Sequence, residues 1–107
     1  MTRLLASLLG VAVLSAAPSR LAFTGVVTDD MCANADHSHM RMGDTDAECA
    51  IACNGAHGAA YVLFDGKNAY TLSDQRTPEK FAGKKVRVVG TLDTKTKTIT
   101  VTSIVLQ

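Results

Sequence analysis

Between Asp29 and Gly58 the chain gathers all three of its cysteines (Cys32, Cys49, Cys53), all three of its histidines (His37, His39, His57) and three of its four methionines. Thiolates and imidazoles are the donors that zinc and softer metal ions prefer, so a stretch that concentrates them suggests a ligand set. Cys32, Cys49 and Cys53 with one of His37 and His39 make a Cys₃His set suited to tetrahedral zinc. Thioethers from Met40 and Met42 would instead favour Cu(I). The spacing, Cys32-x₄-His37-x-His39 followed by Cys49-x₃-Cys53, is not the familiar C-x₂-C knuckle.

The same thiols support a second chemistry. In an oxidising compartment Cys32 bonded to Cys49 or Cys53 would pin the segment, and closing such a loop contributes about 3 kcal/mol in the chain-entropy account. A Cys49–Cys53 bridge is disfavoured because side chains of a regular helix rarely meet the required dihedral. Either staple leaves one thiol over, which a metal, an intermolecular bond or a reactive group must then explain. His37 and His39 are two apart, so an extended backbone would turn both the same way. His57 suits the negative end of a helix dipole, and Met31 is expected in the core.

Other classes find little support. A Cys–His nucleophile pair lacks an orienting third group, so the reading leans away from an enzyme. There is no C-x-x-C-H for haem and no phosphate-binding loop for a nucleotide. The full chain carries a formal charge of +1, too little for a nucleic-acid groove. Tyr61, Phe64 and Tyr70 read as core, and Lys84, Lys85, Arg87, Lys95 and Lys97 as a solvated edge.

The N-terminus has the parts of a secretory signal peptide: Arg3, an apolar run from Leu4 to Leu14, and small residues at Ser15-Ala16-Ala17. We assign it to residues 1–22, with a cut between 15 and 22. The remainder, 23–107, is a periplasmic or secreted domain with no membrane attachment. Removing Arg3 and Arg20 leaves 9 bases against 10 acids.

That domain must position the site. Phe23–Asp29 is a first strand and 30–58 an insertion. Within the insertion Thr45-Asp46-Ala47-Glu48 reads as a capping box, and Gly55 as the stop of the helix it starts. Cys49 and Cys53 then share one helical face. Tyr61–Phe64 and Ala69–Leu72 form a hairpin about Asp65-Gly66. Pro78–Gly83 makes a helical turn. Lys85–Leu92 and Thr98–Leu106 alternate, with Val86, Val88, Leu92, Ile99, Val101 and Val105 inward. Ile104 breaks that parity, the mark of a bulge or of a strand buried on both faces. Five strands with a helical segment between the third and fourth predict a mainly β, OB-like Greek-key barrel, with the Cys/His loop-helix insertion after strand 1.

The stretches AYVLFDGKNAYTLSDQ and AGKKVRVVGTLDTKTKTITVTSIVLQ, with TGVVTDDMC upstream, resemble an uncharacterised family of small exported bacterial domains. The pattern falls on Gly25, Asp29, Cys32, His37 or His39, Cys49, Cys53, Gly58, Ala59, Tyr61 and Val62. The resemblance implies export and an OB-like fold, and no activity. Taken together, the expectation is a small exported domain binding Zn²⁺ or copper through Cys32, His37, His39, Cys49 and Cys53. The alternative is a disulfide-stapled module that meets a protein or small-molecule partner.

Overall fold

The computed structural model describes Gly10 and residues 19–107. The apolar run read as a signal peptide therefore lies outside the described residues, Gly10 apart. Strand β1 spans Leu21–Asp29, two residues longer at its start than the expected Phe23–Asp29. It is followed by a 3₁₀ turn, Asp30–Cys32, and by helix α1, Asp46–His57. Then come β2 (Tyr61–Phe64), β3 (Ala69–Leu72), a second 3₁₀ turn (Thr77–Phe81), β4 (Lys85–Asp93) and β5 (Thr98–Leu106). No helix among the described residues is long and apolar enough to cross a membrane.

The five strands close into a ring in the order β1-β2-β3-β5-β4, antiparallel except where β3 runs parallel to β5. Val27, Tyr61, Leu63, Leu72, Val86, Val88 and Ile99 fill it, with Phe23, Tyr70, Phe81, Leu92, Val101 and Ile104 packed against them. Both hairpins close on an aspartate. Asp65 Oδ1 accepts from the amides of Lys67 and Asn68 at 2.8 and 2.7 Å, and Asp93 Oδ1 from Lys95 and Thr96 at 2.9 and 3.4 Å. These are side-chain turns made by a short acceptor two or three residues upstream of the donor. At Gly25 a Cβ would stand 2.3 Å from the Phe64 carbonyl oxygen, so β1 can lie this close to β2 only without a side chain there.

The parity break in β5 is a bulge. Val89 pairs with Ser103 but Gly90 with Val101, so Thr102 is the extra residue. The extra residue reverses the faces beyond it: Ile104 turns toward the core, and Val105, expected inward, is 52 % exposed. Met31, expected in the core, is likewise exposed on the 3₁₀ turn.

Helix α1 is punctuated at both ends, but not as expected at the second. Its start follows the capping-box logic: Thr45 Oγ1 accepts from the Glu48 amide at 3.1 Å. Glu48 reaches back one residue further than that motif requires, Oε2 accepting from the Asp44 amide at 3.0 Å. Gly55 does not end the helix. The left-handed residue is Gly58 (φ +65°), whose amide donates to Asn54 O while that of Ala59 donates to Cys53 O. The Gly58 contact is the αL termination, and it extends the helix by about one turn.

The two glycines are therefore predicted to respond oppositely to alanine. Gly55→Ala, in a helix interior with open space where the Cβ would go, raises stability by about 0.5–1 kcal/mol. Gly58→Ala forces a side chain into the left-handed region and lowers stability by about 1 kcal/mol or more. Urea midpoints of the two variants check this, and equal shifts would refute the assignment of the cap.

Candidate metal centre

The site begins at the last residue of β1. Asp29 is fully buried and acts as the N-cap of the 3₁₀ turn: Oδ1 accepts from the amides of Met31 at 3.0 Å and Cys32 at 3.1 Å. A short acceptor side chain is what such a helical start requires. It curls the chain so that Cys32, itself buried, comes back beside the strand it has just left. The residue before, Thr28, would face solvent in a bare ring, since neighbours along a strand point to opposite sides. Here it is 1 % exposed, because the insertion covers it.

His37 is part of that cover. Asp36 Oδ1 accepts from the Ser38 amide at 3.0 Å, a tight local turn around His37. The backbone is thus not extended, and the parity argument for the two histidines fails: His37 is 4 % exposed, whereas His39 lies exposed on the loop. The backbone and side-chain hydrogen bonds from Ser38 also hold the Asp36 carboxyl below the usual carboxylate range.

Asp29, Cys32 and His37 place one ligand atom each within 4.8 Å of one another, all three buried. Thr28 Oγ1 donates to the Cys32 carbonyl at 3.1 Å, so its contact with His37 Nε2 at 3.4 Å is one in which the ring N–H donates to the hydroxyl. This network, not observed hydrogens, assigns the tautomer. In the neutral ring this leaves the Nδ1 lone pair on the side of Asp29. Nδ1 and Asp29 Oδ2 stand 4.0 Å apart, and neither has a hydrogen-bond partner.

Two buried acceptors facing each other are costly unless something positive lies between them. A separation of 4.0 Å is too long for a direct N–H···O bond. With metal–ligand bonds of about 2.0–2.2 Å, tetrahedral ligands stand about 3.4 Å apart, and one ion can touch both up to about 4.2 Å. The observed separation lies within that reach, and a small inward shift would give the ideal. Carboxylate, thiolate and imidazole together are a zinc-type donor set.

Thr28, His37 and Asp29 also follow one another as nucleophile, base and orienting acid would. That role fails because the Thr28 hydroxyl is buried and already gives its hydrogen to Cys32 O.

The expected cysteine pair lies close by. α1 packs on β1, and Cys49 and Cys53, each 0 % exposed, pack together with Ala59. Cys49 Sγ donates to Met40 O at 3.2 Å and accepts from the Met42 amide at 3.3 Å, tying the loop to the helix. All three cysteines are free thiols, so no staple joins the loop to the helix. Met40 and Met42 are exposed, and so is His57 in the last turn of α1. Of the five residues predicted as ligands, the structure joins Cys32 and His37, sets Cys49 and Cys53 beside them, and leaves His39 outside. Asp29 was missed as a ligand, although its place three residues before Cys32 was a readable signal. Gln75 was missed as a support: it grips the Tyr61 backbone on both sides, accepting from N at 2.8 Å and donating to O at 3.0 Å.

Burial raises the Cys32 thiol, with Asp29, Cys49 and Asp36 adding to the effect. Burial, then Asp29, Cys49 and Cys32, push Cys53 up to about 11. Comparison with protein-family models, with curated proteins and with solved structures gives no match.

The thiol shift predicts a pH dependence in the metal-free protein. The unfolded chain releases the Cys53 proton near its ordinary value of 9.0 and the folded chain only near 11, so this contribution is complete below pH 9 and declines as pH rises toward 11. Thermal unfolding in chelator from pH 8 to 11 checks it: Cys53→Ala should flatten the fall, and an unchanged slope would count against it.

Proposed function

We propose that this chain is a small exported domain that binds Zn²⁺ in the buried pocket of Asp29, Cys32 and His37. The observation that carries the reading is the face-to-face pair of unpartnered acceptors, Asp29 Oδ2 and His37 Nδ1, beside a buried thiol. A mixed oxygen, sulfur and nitrogen set favours a borderline divalent ion. Copper(I) would need more soft donors, and Met40 and Met42 stand exposed away from the buried group. Zinc is therefore preferred over copper.

The scaffold is proposed to be OB-like. The ring order, with its one parallel pair β3–β5 and a helical turn between β3 and β4, supports that assignment. Export rests on the signal-like N-terminus and on the resemblance to exported bacterial domains. In an oxidising compartment a bound ion would also keep the thiols from pairing with one another. The disulfide-stapled alternative is favoured by one observation only, the closeness of three buried thiols.

Metal analysis of purified protein, with a free-thiol count, tests the reading. Stoichiometric zinc, three reduced thiols and a melting temperature that falls on chelation are expected. Saturating zinc at 100 times its Kd should restore about 2.7 kcal/mol. Asp29→Asn keeps an acceptor for the Met31 and Cys32 amides but removes the charge, and should lower zinc affinity about 10-fold or more with the fold retained. Substoichiometric metal together with an oxidised cysteine pair would sink the proposal.

A further inference from the structure

Thr28 carries a hydroxyl that packing alone does not account for. The residue is buried, and both partners of its Oγ1 belong to the insertion. Valine has nearly the same shape, suits a strand as well, and brings no polar group to satisfy. Oγ1 donates to the Cys32 carbonyl at 3.1 Å and accepts from His37 Nε2 at 3.4 Å. The same carbonyl accepts from the Ala35 amide at 2.8 Å, closing a turn in which Ala35 takes a positive φ of 60°. One hydroxyl on β1 therefore joins the backbone of Cys32 to the ring of His37, two of the three residues grouped at the site.

The two ring nitrogens of His37 meet different surroundings. Nε2 lies against Thr28, whereas Nδ1 faces Asp29 Oδ2 at 4.0 Å with no hydrogen-bond partner. In a ligating imidazole one nitrogen binds the ion and the other keeps its proton, and the partner of that N–H decides which is which. Were Nε2 the ligand, the Thr28 hydroxyl would lose its donor. An N–H on Nδ1 would then stand too far from Asp29 for a hydrogen bond.

We infer that Thr28 is a positioning residue: it holds the Nε2 proton of His37 and so reserves Nδ1 for the ion, on the side of Asp29. This rests on the zinc reading above. It gives a strand residue that itself touches no ion control over the orientation of a ligand carried by the loop.

Nitrogen-15 NMR of the histidine rings in the zinc-loaded, full-length wild-type protein reads the ligating nitrogen without any substitution. Zinc on His37 Nδ1, with a slowly exchanging proton on Nε2, is expected. Zinc on Nε2 overturns the assignment while leaving the zinc reading intact; failure to bind zinc at all overturns both. Thr28→Val should then lower zinc affinity about 10-fold and speed exchange of the ring proton, whereas Thr28→Ser should retain both properties. Wild-type affinity and exchange in Thr28→Val, or equal losses in the two variants, would refute the role. Should Thr28→Val fail to fold, the wild-type nitrogen assignment and Thr28→Ser decide the question.

Discussion

A carboxylate buried where a strand ends must satisfy both of its oxygens, and that requirement at Asp29 organises the rest of the molecule. One oxygen takes the amides of Met31 and Cys32 and so turns the chain sharply as it leaves the ring. The turn returns Cys32 to the strand. The other oxygen has no donor within the protein and faces the His37 ring instead. Beside the Cys32 thiol, that second oxygen belongs to a buried group that could hold a metal ion.

The two parts of the chain divide the work. The buried core of the ring, made of valine, leucine, isoleucine and Tyr61, includes no thiol or imidazole. The insertion has no apolar core of its own beyond Cys49, Cys53 and Ala59. It is held by polar devices instead, the Asp29 and Thr45 caps, the Asp36 turn and the Cys49 contacts with residues 40 and 42. A segment so lightly packed has little to fix its side chains. An ion joining strand, turn and loop would supply that fixation, since metal binding to such a site is folding free energy.

What could be read from the residues was local. The Thr45 cap, the Asp65 turn, the alternation of β4 and the shared face of Cys49 and Cys53 each depend on contacts within four residues, and sequence carries such contacts directly. The disturbed parity at Ile104 was legible as an irregularity, though the reversal it imposes on Val105 was not drawn from it. Choices between near-equivalent residues were not legible. Gly55 and Gly58 are both acceptable helix stops, and the longer helix also brings Ala59 against Cys53. His37 and His39 are chemically identical, and the turn at Asp36 together with the Thr28 face decides which one is buried. Composition determined that a thiol- and imidazole-rich insertion sits on a small β scaffold. Only the tertiary structure decided that a strand-end aspartate joins the site and that one histidine stays outside. The physical reason is burial, which leaves an Asp29 oxygen without a hydrogen-bond partner, and no spacing along the chain encodes how deeply a side chain will be covered.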